Sequence, residues 1–264
     1  MKFHFALLFY FSLFLFSCDD ENETANSEPV TSIPKIEFRE IRFVETPVDM
    51  SDSLIVRIKF SDLEMNVGLD DIEYIYPYNQ KHYFSNKTGQ YFDFENESLD
   101  DLLTIKNIEE IDTLPPFDPD FNTCFWDLSP EIFLSDGFQL NDTVYYQFNK
   151  YHNNIFVDYW YKNNSGEYEF FDWREAFECG HNFDGRIPNL TSFNQKERFP
   201  IQIDNFSFKI VITSRSSGFI EYGMTSFGFK PLFGGKDLKL RISIADRDLN
   251  VSNVVETDII QIPL

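Results

Sequence analysis

The stretch LIVRIKF at residues 54–60 puts Leu54, Val56, Ile58 and Phe60 on one side of an extended chain and Arg57 and Lys59 on the other. LKLRISI at 238–244 does the same with Leu238, Leu240, Ile242 and Ile244. A period of two over seven residues marks a half-buried strand, and such a strand needs a covering layer. The likeness continues beyond the strands. At an offset of 184 residues Leu54/Leu238, Arg57/Arg241, Ile58/Ile242, Asp62/Asp246, Asn66/Asn250 and Val67/Val251 coincide, and Glu64 aligns with Asp248. Each copy is a strand that runs into D-x-[DE]-x-N-V. The repeat predicts two related β-sandwich units. The competing reading is one turn reused on unrelated strands.

Other segments share the extended pattern. KIEFREIRFV at 35–44 alternates, but its phase slips by one residue at Arg39 and Glu40, which predicts a bulge. Further strand candidates are 72–76, 143–148, 154–162, 167–173, 206–212, 219–224 and 258–262. KNNSGE at 162–167 reads as a hairpin turn, with Gly166 free to take positive φ. No segment holds a 3.6-residue period; EEID near 109 and WREAFE near 173 could each form one helical turn. Phe, Tyr and Trp make up 18% of the chain, which argues against disorder. The fold class is therefore all-β, antiparallel, with sandwich units expected over 35–185, carrying a long insertion, and 186–264; the Ig-like form of those units is implied by family resemblance alone.

The chain begins MKFHFALLFYFSLFLFSCDDENE. Lys2 is followed by an apolar run from Phe3 to Ser17, the length of a signal h-region and short for a membrane span. Leu15, Phe16 and Ser17 before Cys18 resemble the lipobox of bacterial lipoproteins, of the Bacteroidetes type that tolerates a bulky residue where Phe16 stands. The resemblance implies a signal peptide over 1–17, cleavage before Cys18 and acylation of Cys18. Several acyl chains would anchor the protein durably in a membrane. Residues 19–34 are polar and acidic and read as a flexible tether. Acidic residues directly after the lipidated Cys resemble the surface-export signal of those lipoproteins. They imply an outer-membrane address on the cell surface.

Two further stretches carry a family resemblance. NIFVDYWYKNNSGEYEFFDW and the closing DRDLNVSNVVET are similar to Bacteroidetes outer-membrane lipoproteins of unassigned function with Ig-like or fibronectin-like units. The first acidic turn resembles their DGDGDIG turn, although Leu63 and Met65 replace its first two glycines. DSL, DTL and DTV resemble their Asp-Ser/Thr-aliphatic O-glycosylation acceptor and would place glycans on Ser53, Thr113 and Thr143 at loop-to-strand junctions.

The acidic turns have two readings. Asp and Asn side chains close turns on their own backbone and so fix a strand exit. Alternate oxygens in a tight turn also suit Ca²⁺, with Asp62, Glu64 and Asn66 in one copy and Asp246, Asp248 and Asn250 in the other. Three ligands are too few, so an adjacent loop would have to contribute. The closed turn is the favoured expectation, and no other cofactor is implied.

With Cys18 acylated, Cys124 and Cys179 are left over, and an extracytoplasmic address invites a disulfide between them. The chain carries 44 acidic and 22 basic side chains, a formal charge of −22, which excludes phosphate-backbone partners. No G-x-S-x-G, H-E-x-x-H, Walker or G-x-G-x-x-G motif occurs. Aromatic residues crowd into 143–173, and Tyr159, Tyr161 and Trp173 are candidates for stacking on a sugar, with core packing as the alternative. The expected function is a lipid-anchored, non-catalytic envelope module that binds a glycan or an envelope protein, or serves structurally. A surface hydrolase acting on polysaccharide or peptide is the competing class.

Overall fold

The computed structural model describes residues 31–47, 51–70, 72–108, 125–128, 130, 140–176, 182–190, 201–203 and 206–264. Its first large sheet has five antiparallel strands. β1 (Lys35–Val44) pairs with β2 (Asp52–Ser61). β2 then pairs with β10 (Ser217–Ser226), which continues through β9 (Phe206–Ser214) to β8 (Ile201–Ile203). The register of β1 on β2 shifts between Phe38 and Glu40, where the sequence pattern slips.

In the second large sheet β11 (Asp237–Ile244) pairs along its length with β6 (Ile155–Lys162), and β6 with β7 (Tyr168–Phe171). The other side of β11 carries β12 (Val255–Glu256) and β13 (Ile260–Gln261). A small third sheet joins β3 (Lys81–Tyr83), β5 (Val144–Phe148) and β4 (Trp126–Asp127).

The two repeated strands hold equivalent posts. β2 is flanked on both sides in the first sheet, and β11 on both sides in the second. Leu54, Val56, Ile58, Phe60, Leu238, Leu240, Ile242 and Ile244 all have 0% exposure and belong to one hydrophobic cluster. Each such side chain contributes about 1.5–3 kcal/mol. An aromatic group fills the same core. Phe229 and Phe233 are one turn apart on α2 (Phe229–Phe233) and pack against Tyr159, Trp173 and Phe183. Pro231 fits in this short helix because it sits in the first turn, where its missing N–H needs no partner. Trp173 opens α1 (Trp173–Ala176), at the expected helical turn.

The architecture is all-β and sandwich-like. The division expected at 185/186 is not respected by the pairing: β2 joins β10 and β6 joins β11 across it, and buried residues from both segments share one cluster. Segment 72–76, expected as a strand, is instead a turn-rich excursion with Ile72, Tyr74, Ile75 and Tyr76 exposed. The expected helical turn near 109 lies outside the described residues.

Candidate functional site

The two strands of the repeat deliver their acidic turns to the same end of the molecule, where the turns meet. Val67 bridges Asp246, and the Arg247 amide donates to the Asn66 carbonyl at 3.2 Å. Both turns use the same backbone device. Met65 (φ 54°) and Leu249 (φ 64°), equivalent in the repeat, take the left-handed conformation that side-chain-bearing residues rarely adopt. The buried Asp ahead of each offsets that cost. Asp246 Oδ1 accepts from the amides of Asp248 (2.9 Å) and Asn250 (2.8 Å), and its Oδ2 accepts from Asn250 Nδ2 (2.9 Å). Asp62 Oδ2 accepts from the Asn66 amide at 2.9 Å. The closed-turn expectation therefore describes both copies.

The copies differ in one respect. Asn250 folds back on Asp246, whereas Asn66 Nδ2 reaches out and donates to Glu64 Oε2 at 3.1 Å and Asp248 Oδ2 at 2.9 Å. Asp62, with 0% exposure, keeps an Oδ1 that meets no donor, and so does the Oδ1 of Asn66. The result has two levels: Asp62 and Asp246 buried beneath, Glu64 and Asp248 exposed at the rim. Burial, and then the charge of Asp246, pushes the Asp62 carboxyl above its ordinary value. Glu64 is also raised, by desolvation and by the charges of Asp248 and Asp62. The six residues expected as metal ligands are thus brought together. Even so, among the described residues no three His, Cys, Asp or Glu side chains are grouped to hold a metal ion.

Arg247, next in chain to Asp246, ties segment 70–78 to this end. Its guanidinium pairs with Glu73 and lies 3.8 Å from Asp70, and its carbonyl accepts from the Tyr78 hydroxyl. Arg186 donates to the carbonyls of Asp70 (2.9 Å), Glu73 (2.7 Å) and His152 (2.7 Å). A loop fastened at so many points can hold apolar side chains in water: Ile72 is 87% exposed and Tyr76 74%. Beyond it the rings of Tyr76, His82 and Tyr91 form a row. Tyr76 and His82 are 6.4 Å apart, and His82 stacks on Tyr91 at 4.2 Å and 16°. Burial lowers the His82 pKa, so the ring in the middle of the row is neutral at pH 7.

The aromatic residues singled out from sequence are mostly elsewhere. Tyr159 has 0% exposure and donates its hydroxyl to Met224 Sδ; Trp173 is buried against Phe183, Phe229 and Phe233. Neither can offer a face to a sugar, and the packing alternative holds for both. Tyr161 is half-buried beside a shallow open hollow with Asn163, Ser165 and Glu169, and Lys236 lies 4.6 Å from its ring centre. Its neighbour Trp160 faces outward under the Arg241 guanidinium at 4.4 Å.

Ser53 lies within β2 rather than at its junction, with its hydroxyl 3.3 Å from Thr225 Oγ1. Thr143 immediately precedes β5. Cys18, Thr113, Cys124 and Cys179 lie outside the described residues.

Sequence reasoning missed the Tyr76–His82–Tyr91 row. The available signal was that IEYIY does not sustain a period of two and runs directly into Pro77, which has no N–H for a ladder; both argue against an interior strand. No family model, curated protein or solved structure matches this chain.

Proposed function

We propose that the protein is a lipid-anchored, non-catalytic module of a bacterial outer membrane, displayed at the cell surface, that binds glycan on the row of Tyr76, His82 and Tyr91. The anchor reading rests on the lipobox-like LFSC ending at Cys18 and the acidic tether after it. The binding reading rests on one observation: two exposed tyrosines, Tyr76 on a firmly held loop and Tyr91 beyond it, joined in a row by the half-buried His82 of β3. Soluble surfaces rarely spend large exposed aromatic area without a partner. With His82 stacked against Tyr91, the faces of Tyr76 and Tyr91 turned away from His82 are the ones to take the C–H faces of sugars, and the two hydroxyls can hydrogen-bond to sugar oxygens. Ile72 and Ile75, in the same loop as Tyr76, are also exposed.

Affinity electrophoresis against a panel of soluble polysaccharides tests the binding. At least one polysaccharide should retard the protein, and Tyr76→Ala and Tyr91→Ala should each remove most of the retardation. Equal retardation of wild type and both variants, or none with any polysaccharide, refutes the row as the site. Cys18→Ala tests the anchor separately: the variant should leave the membrane fraction or remain uncleaved, and unchanged fractionation refutes lipidation.

A further inference from the structure

We propose that the outward face of the first sheet carries a second binding site, for an acidic polysaccharide, in which Arg57 and Lys209 hold one uronate carboxylate of the sugar chain. The site is a shallow hollow of about 230 Å³ lined by Arg57, Lys209, Val211, Phe219 and Glu221. It shares no residue with the tyrosine row.

The strand register sets up the charges. Arg57 on β2 stands opposite Glu40 on β1 and opposite Glu221 on β10, and Glu221 stands opposite Lys209 on β9. Unlike charges placed across strands in this way can pair. Instead Arg42 collects both acids, meeting Glu221 at 3.0 Å and Glu40 at 3.6 Å. Among the described residues Arg57 and Lys209 are then left without an ion pair. The Arg57 guanidinium lies 4.6 Å from the centre of the Phe219 ring, a contact that steadies its planar fork. Lys209 is exposed beside it in the same hollow. Three cations, Arg42, Arg57 and Lys209, thus face two carboxylates, Glu40 and Glu221. The chain as a whole has 44 acidic and 22 basic side chains, so two cations held clear of its own acids are available to an anion from outside.

The surroundings identify that anion. A guanidinium fork matches a planar carboxylate. The hollow is smaller than the roughly 300–1,000 Å³ that enclose a free small molecule, so it takes one group of a longer ligand whose remainder runs over the sheet. β2 and β10 are paired on both sides, which commits their backbone to the ladder and leaves none for a peptide strand to join. Recognition by side chains alone on an open face suits a sugar chain, and half-buried Val211 offers its C–H groups an apolar floor.

Titration calorimetry in dilute salt tests the site with polygalacturonate, its methyl ester and polyglutamate. EDTA keeps divalent ions from bridging two polyanions. Wild type should bind polygalacturonate about tenfold more tightly than either other polymer, and Arg57→Gln and Lys209→Gln should each remove most of that preference, the loss of one charge-assisted contact. Lys209 is exposed, so at least its variant keeps the fold, which thermal melting checks. The formal charge of −22 repels every polyanion, so general charge attraction cannot supply the binding. Tyr76→Ala should keep the preference, and the two sites therefore stand or fall separately. No binding of polygalacturonate, equal binding of its methyl ester or of polyglutamate, or a preference undiminished in both variants overturns the proposal.

Discussion

Asp62 and Asp246 occupy equivalent places in the repeat, yet their replacement should cost very different amounts. Asp246 is 2% exposed and accepts three hydrogen bonds, two of them from backbone amides of its own turn. A hydrogen bond to a charged group contributes about 1.5–3 kcal/mol. Asp246→Ala strands two amides, and at the low end of that range the loss is about 3 kcal/mol. The Asn250 side chain is only half-buried and can turn to water, so its bond adds little. Asp62 accepts one well-aligned bond, from the Asn66 amide; the Glu64 and Val67 amides act on its carboxylate only as weaker neighbours, and its Oδ1 has no aligned donor. Its burial already disfavours the charged form. Asp62→Ala should therefore cost about 1 kcal/mol, one bond less the relief of that oxygen.

The isosteric pair sharpens the contrast. Asp246→Asn must turn an NH2 toward a donor, because both of its oxygens accept, and should still cost about 2 kcal/mol. Asp62→Asn can put its NH2 where Oδ1 has no donor, and should be close to neutral. Equilibrium urea unfolding without calcium, followed by tryptophan fluorescence, measures all four, with Trp173 in the core as a reporter. The denaturant slope should stay constant while the midpoint moves. Equal losses at the two positions, or a larger one at Asp62, would show that the difference between the turns is not real.

Two other outcomes follow from the structure. Gly68 has φ 111°, and a Cβ there would collide with the Pro188 carbonyl and lie 3.0 Å from Asn189 Cα. Gly68→Ala should cost about 2–4 kcal/mol, from the backbone conformation and the clash together. Gly166→Ala, at φ 89° in open space, should cost only about 1 kcal/mol; a similar loss at both sites in urea unfolding would dismiss the clash. His152 is held neutral by burial, helped by the nearby Arg186 charge and opposed by the Nδ1 bond to the Tyr78 carbonyl at 3.0 Å, and the balance puts its folded pKa below 6.5. The unfolded chain then binds the proton first, and this contribution to stability is present above pH 6.5 and lost as pH falls through the folded pKa. His152→Asn should flatten the decline in urea midpoint below pH 6.5, and a decline as steep as that of wild type would refute it.

What could be read from the sequence was whatever is written locally with a period. β2 and β11 announce themselves because one face of each is fully buried, and the slip at Arg39 and Glu40 shows as a register shift because a bulge must displace the alternation. β3, β4, β8, β12 and β13 are two or three residues long, and so short a run carries no period of its own. Segment 72–76 is apolar and invited a strand, but Arg186 takes the Glu73 carbonyl there and the Asp70 carbonyl just before it, which a neighbouring strand would otherwise claim. Tyr159 and Trp160 show the same limit within one strand. Alternation separates their faces, but both faces are aromatic, and which one is covered depends on Phe229 and Phe233, some seventy residues later.

The repeat itself was legible, and its meaning was not. Two like strands 184 residues apart suggested two units, because duplication is the simplest source of likeness. The pairing offers a packing reason instead. Each sheet needs a strand flanked on both sides with one wholly apolar face, and two such faces fill one cluster. Both strands must then leave at the same end through a turn short enough not to cover it. A buried Asp that collects its own turn's amides is a compact way to do this, and a left-handed residue three places later completes it in both copies. The consequence is electrostatic. Two sheets that end in the same turn bring two acidic turns into contact, and the second must find a way to tolerate the first. Asn66, reaching between Glu64 and Asp248, is the answer the chain gives with its own atoms. The cost is the donor this withholds from Asp62 Oδ1.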